Sequence, residues 1–179
     1  MSEIGKEDIP HAFRVGVIVE RRESANQWID AVWKSVEVLP EFAAEDILKP
    51  LSEGPGWQRY LAGSLEIELF KRETEAYKMN FSQDQPVIYI VLRPGEEADE
   101  QDVEPFLATL SPYEAEDYGE SGELVVDAVA MPPVIAAWAA SFIEIHHVDQ
   151  PFKKRKQKRK DANAFDRHGP QHQGRHHDG

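Results

Sequence analysis

Alternation of apolar and polar side chains is clearest at Ser64-Leu65-Glu66-Ile67-Glu68-Leu69. Leu65, Ile67 and Leu69 fall on one face, and Glu66 and Glu68 on the other. A period of two is that of a strand, so the segment predicts a half-buried antiparallel strand. Phe13–Glu20 (FRVGVIVE) carries Val15, Val17 and Val19 on one face and Ile18 on the other. β-Branched residues at this density predict a central strand buried on both faces, ended by Arg21, Arg22 and Glu23. Pro86–Leu92 (PVIYIVL) is nearly all apolar and predicts a second central strand, closed by Pro94-Gly95 and followed by a solvated acidic loop over Glu96–Asp102. Tyr77, Met79 and Phe81 alternate with Lys78 and Asn80, after a turn over Lys71–Thr74. That pattern predicts a strand between the other two, and so a three-stranded meander.

The remaining segments give shorter signals. Trp28, Val32 and Val36 are four apart, which is helical. Val36 and Val38 alternate, and β-branched residues crowd the approach to Pro40, which favours a strand over Ala31–Leu39. Glu41–Leu48 predicts a short helix closed before Pro50, and Gly54-Pro55-Gly56 a turn. Val103–Leu110 and Glu123–Ala130 predict strands. Between them, Ser111-Pro112-Tyr113-Glu114 is a helix start: Ser caps free N–H groups, Pro suits the first position, and Glu114 completes a capping box. That helix stops near Gly119. Pro132-Pro133 opens a last helix, with Ile135, Trp138, Phe142 and Ile145 recurring at three or four residues up to His147. The pattern predicts one α+β domain over residues 13–150: a mostly antiparallel sheet of about six strands with two or three helices. Residues 1–12 and 151–179 hold no apolar run and predict disordered flanks.

Charge divides the chain in the same place. The net charge is −13, but residues 1–150 hold 11 Lys/Arg against 30 Asp/Glu, a net of −19. Residues 151–179 hold 9 Lys/Arg against 3 Asp/Glu, a net of +6. An acidic body argues against polyanion or anionic-membrane binding by its surface, and the basic tail reads as an interaction segment. The chain has no Cys, which excludes disulfides, thiolate metal sites, iron–sulfur ligation and cysteine nucleophiles. No basic start followed by an apolar run marks a signal peptide, and no stretch approaches a membrane span, so a cytoplasmic location is expected.

Catalytic patterns are missing. The chain shows no G-x-S-x-G, no phosphate loop, no G-x-G-x-x-G and no H-E-x-x-H. A non-enzymatic role is expected, with no cofactor and no metal ligand. His146-His147 points about 100° apart on a helix and does not chelate as an i, i+4 pair would. One is expected half-buried and the other at the helix C-terminus. The tail histidines (His168, His172, His176, His177) read as adventitious metal contacts, and Glu73 and Glu75 as solvated turn residues. Arg21 and Arg22, and Lys71 and Arg72, are candidate anion-binding residues, although ion pairing within an acidic body competes. Trp28, Trp33, Trp57 and Trp138 read as core, with Trp57, beside the Gly-Pro-Gly turn, as the candidate exposed contact. In the tail, Phe152 precedes Lys153, Lys154, Arg155, Lys156, Lys158, Arg159 and Lys160. This run reads as a solubilising end, a phosphate contact, or a segment that docks on acidic protein, including its own body. No aromatic residue alternates with its charges, so base stacking gains no support.

Several segments, in order, resemble one bacterial family, the DUF3305 proteins. They are Val19-Glu20-Arg21-Arg22; Trp28 and Trp33 with Val38-Leu39-Pro40; Ala62-Gly63-Ser64-Leu65-Glu66-Ile67-Glu68-Leu69; and Glu73-Thr74-Glu75-Ala76-Tyr77. Ser111-Pro112-Tyr113-Glu114-Ala115, Met131-Pro132, His146-His147 and Pro151-Phe152-Lys153-Lys154-Arg155-Lys156 complete the set. The family has no established activity; its genes commonly stand beside those for molybdenum-dependent formate dehydrogenase. The resemblance implies an accessory or assembly role, with dehydrogenase subunits or maturation factors as partners. It also implies an alternative, binding or processing of a molybdopterin nucleotide, since some members carry that label.

Overall fold

The computed structural model describes residues 9–29, 31–40, 49–95 and 103–149. The helix expected over 41–48, the acidic loop at 96–102 and the tail from 151 lie outside the described residues. The chain divides into two units, Met1–Val148 and Asp149–Gly179, and every described strand and helix belongs to the first.

The valine run forms the middle of β1 (Ala12–Glu23), and every residue from Val15 to Glu20 is buried. Burial on both faces is what its β-branched density predicts. β1 lies between β2 (Ala31–Pro40) and β4 (Trp57–Glu68), antiparallel to both. β4 is about twice as long as its alternating stretch, because a tight turn at Pro55-Gly56 folds β3 (Lys49–Gly54) back along it. Gly56 takes φ +75°, a value that only glycine adopts freely, which is why the turn needs it. β3 has no apolar alternation of its own, so its pairing with β4 makes it a strand.

β5 (Val87–Pro94) is central, between β6 (Val103–Thr109) and β7 (Val125–Ala130), and its Ile88, Ile90, Val91 and Leu92 are fully buried. The sheet has seven strands, in the order β2-β1-β4-β6-β5-β7, with β3 beside β4. It is α+β, as expected, but the sheet is mixed: β4 and β6 run parallel, in register at Ile67 and Ala108. The end strands approach each other, and Ser35 N–H of β2 donates to Asp127 Oδ2 of β7 at 2.8 Å. The sheet thereby curls almost into a barrel.

The meander does not form. Thr74–Phe81 is a helix, α1, preceded by a 3₁₀ turn at Lys71–Glu73. Its buried residues include Thr74, Tyr77 and Asn80, three apart, while Met79, expected inside a strand, is 46% exposed. Asn80 decides the conformation. Its Nδ2 donates to the carbonyls of Val87 (2.7 Å) and Leu110 (2.9 Å), and its Oδ1 accepts the Val87 N–H (3.0 Å). A strand would turn this side chain outward with Lys78. The Tyr77 hydroxyl accepts the Phe70 N–H at 3.0 Å, and burial pushes its pKa up to about 12.

α2 (Pro112–Gly119) starts where the sequence predicts, and Ser111 Oγ accepts the Glu114 N–H at 3.2 Å. The return half of the capping box is replaced. Glu114 instead accepts from Thr109 Oγ1 (2.7 Å), which accepts the Ser111 N–H (3.1 Å). α3 (Pro133–His146) follows the predicted stripe: Ile135, Ala139 and Phe142 are buried, and Trp138 is half-buried. These residues share one core with Val15, Val17, Val19, Ile67, Ile88 and Ile90. Trp138 Nε1 donates to the Pro10 carbonyl at 2.7 Å, which ties the segment before β1 to α3.

Candidate binding surface

Register decides which candidate residues meet. Arg22 lies opposite Trp57, whereas Ala12, at the other end of β1, lies opposite Glu68. Arg21, Arg22 and Trp57 therefore share one end of the sheet. Lys71 and Arg72, just past β4, lie at the other, roughly 30 Å away at ~3.3 Å per strand residue. Arg21 and Arg22 themselves point to opposite faces, as consecutive strand residues must. The four candidate anion-binding residues do not converge.

Residues directly opposed across strands share a face. Val32, Arg22 and Trp57 form one row, and Lys34, Glu20, Arg59 and Ser52 form the next row on that same face. The other face carries Trp33 and Tyr60, in ring contact at 5.9 Å, and the buried Val19. It faces the core, so the rows with Arg22 and Arg59 face outward. Glu20 is 5% exposed between two arginines. Arg22 donates Nε (3.1 Å) and Nη2 (2.9 Å) to Glu20 Oε1, and Arg59 donates Nε (3.0 Å) to Oε2. Burial pushes the Glu20 carboxyl up, but the hydrogen bonds and charges of Arg59 and Arg22 outweigh it and hold the group below the ordinary range. Arg59 also stands over the Trp57 ring at 5.3 Å. Trp57 is half-buried against the β3–β4 turn, which is the partial exposure expected of it.

The β1–β2 turn adds a tryptophan expected in the core. Trp28 is 84% exposed, with Ile29 at 48% and Val32 at 52%. The reason is local: Asn26 Oδ1 accepts the Trp28 N–H at 3.1 Å, and Asn26 O accepts the Ile29 N–H at 3.1 Å. These bonds build a side-chain-mediated turn beyond the strand end. Trp28 therefore rides on the turn and not on either sheet face. The signal in the sequence is the Asn two residues before it. Arg59 is a further residue that the sequence patterns do not single out, although its position two residues after Trp57 places it on the Trp57 face.

The opposite end is arranged differently. Arg72 is exposed beside Glu73 (3.8 Å) and stacks over Phe70 at 5.3 Å. It helps line an open cleft of ≈ 260 Å³ with Phe70, Glu73, Tyr113, Glu114 and Asp117. His147 Nδ1 lies 3.0 Å from Thr74 Oγ1. His146 packs on Phe142 (4.5 Å) and His11 (5.6 Å); burial lowers its pKa, and the charges of Lys71 and His11 lower it further. Among the described residues, no three His, Cys, Asp or Glu are placed to hold a metal ion, and no helix is long and apolar enough to cross a membrane.

A family model described as a protein of unknown function (DUF3305) matches residues 14–156. The chain belongs to the DUF3305 family. The matched stretch runs from β1 through α3 and takes in Phe152 and Lys153–Lys156 at the start of the basic run. Both hairpins that build the Trp28–Trp57 end are therefore part of the DUF3305 domain. No curated protein and no solved structure matches the chain.

Proposed function

We propose that this DUF3305 chain is a non-catalytic cytoplasmic binding protein that assists maturation of a molybdenum-dependent formate dehydrogenase, docking through the hairpin end of its sheet. The observation that carries the docking reading is that Trp28, Ile29 and Val32 are all exposed at the β1–β2 end, where Val32 shares a row with Arg22 and Trp57 beside the Arg22–Glu20–Arg59 triad. Exposed apolar patches of this kind mark interaction sites, and Trp and Arg dominate the energetics of protein contacts. The dehydrogenase as client rests on the genetic neighbourhood of the family. The alternative, a nucleotide held by converging basic residues, has less support, because Arg22 and Arg72 stand at opposite ends of the sheet.

Deletion of the gene tests the role. The expected result is a fall in molybdenum-dependent formate oxidation that the wild-type chain restores and a Trp28→Ser, Val32→Ser chain does not. Full formate oxidation in the deletion strain would overturn it.

A further inference from the structure

The outward face of the hairpin end departs from the charge of the body that carries it. Residues 1–150 have a net charge of −19, yet the two rows around Trp57 present Arg22, Arg59 and Lys34 against one carboxylate, Glu20. Glu20 is already engaged: its two oxygens accept three N–H groups from the two arginines. On the seam side, Asp127 of β7 is the acidic neighbour of Lys34.

A guanidinium carries five N–H donors in a fixed fork. Arg22 gives two to Glu20 and Arg59 gives one, so each keeps donors free along an outer edge. The side chains of Arg22 and Arg59 are 60% and 42% exposed. Both forks are held in place, Arg22 by two bonds to Glu20, and Arg59 by Glu20 and the Trp57 ring. Much of the rotamer entropy of binding is thus lost before any partner arrives. Planar forks held this way match carboxylates two bonds at a time. The aromatic and aliphatic surface beside them, Trp57 and Val32 with Trp28 beyond, asks for apolar cover at the same time.

We infer that this face accepts an acidic segment of a partner protein, whose carboxylates engage Arg22 and Arg59 while an adjacent apolar side chain covers Val32 and Trp57. The inference rests on the binding-protein reading and specifies the chemistry of the partner. A protein segment fits better than a small anion for two reasons. The arginines lie on an open sheet face, and the exposed apolar residues extend past them onto the turn at Trp28. Residues 1–150 carry a net charge of −19, so this cationic face stands apart from the body around it. At physiological salt, screening over about 8 Å lets a bound segment respond to these rows rather than to the distant charge of the whole body.

The test is an NMR titration of the isotope-labelled full chain with a synthetic Asp/Glu-rich peptide carrying leucines, with inorganic phosphate as a second probe. The expected result is peptide-dependent shifts at the Arg22 and Arg59 side-chain N–H groups and at the Trp57 and Trp28 indoles. Affinity should drop about tenfold in an Arg22→Ala, Arg59→Ala chain, and partially in the Arg22→Lys, Arg59→Lys chain, which keeps charge but loses the fork. Arg14→Ala, on the same strand but at its far end, should have no effect. Unchanged amide spectra away from the face establish that the variants fold. Shifts confined to residues 153–160, no binding, or equal shifts with phosphate alone would overturn the inference. Recovery of dehydrogenase components by a chain that fails this titration would leave the binding role standing and remove only the acidic-partner chemistry.

Discussion

Glu20 is the residue on which the two arginines converge, and its charge is what holds them. Its folded pKa is depressed, so it contributes stability above the ordinary carboxylate range, and that contribution is lost as pH falls through the folded value. A Glu20→Gln chain should lose about 1–3 kcal/mol at neutral pH, since the arginines are partly solvated. Its stability should also fall less between neutral pH and about pH 3 than the wild type does; chemical denaturation at several pH values measures both. Gly54 makes a second, independent case. A Cβ there would lie 2.5 Å from the Trp57 ring, so the ring must move. Gly54→Ala should cost about 1–3 kcal/mol by overpacking, seen in thermal melts, with a change in tryptophan emission as Trp57 leaves its seat. Neither residue's role is legible from composition. In sequence Glu20 is only the last residue of the FRVGVIVE strand, and nothing there marks its partner Arg59, 39 residues away.

Among the elements, the strands with strong period-two or all-apolar patterns are readable: β1, the second half of β4, and β5. β2, β6 and β7 also form where the shorter signals predict strands, whereas β3 and α1 are not readable. β3 owes its form to its partner, and α1 mimics a strand in sequence because Asn80 is a polar residue that points inward. Asn80→Ala removes four hydrogen bonds, three of them to the backbone of Val87 and Leu110, and should cost about 3 kcal/mol, checked by urea denaturation. The seam between β2 and β7 joins elements distant in sequence, and only the fold reveals it. Burial raises the Asp127 carboxyl against the Ser35 N–H bond and the Lys34 charge. A raised carboxyl contributes stability that declines as pH rises through its folded value. Asp127→Asn keeps an acceptor for Ser35 N–H and sheds the half-buried charge, so it should be neutral or stabilising at pH 7. Asp127→Ala, which orphans that N–H, should cost about 1–2 kcal/mol. Thermal melts of the pair at pH 5 and pH 8 check the sign.

Across the whole molecule, charge and apolar exposure are distributed unevenly. The −19 of residues 1–150 coexists with one outward face where cations prevail, and the most exposed tryptophan stands beside that face. The sequence points to Arg22 and Trp57 separately. It does not join them, because only the register across β1 and β4 makes them neighbours. Nor does it mark Trp28, whose exposure comes from a turn built by Asn26. Docking of a formate dehydrogenase assembly component at this end of the sheet is open to one decisive measurement. Affinity purification of the full chain from its own cells is run beside the Trp28→Ser, Val32→Ser chain. The wild-type chain should recover a dehydrogenase subunit or maturation factor, and the double variant, folded to the same melting temperature, should not. Recovery of neither by the wild-type chain, or equal recovery by both chains, would refute the docking role.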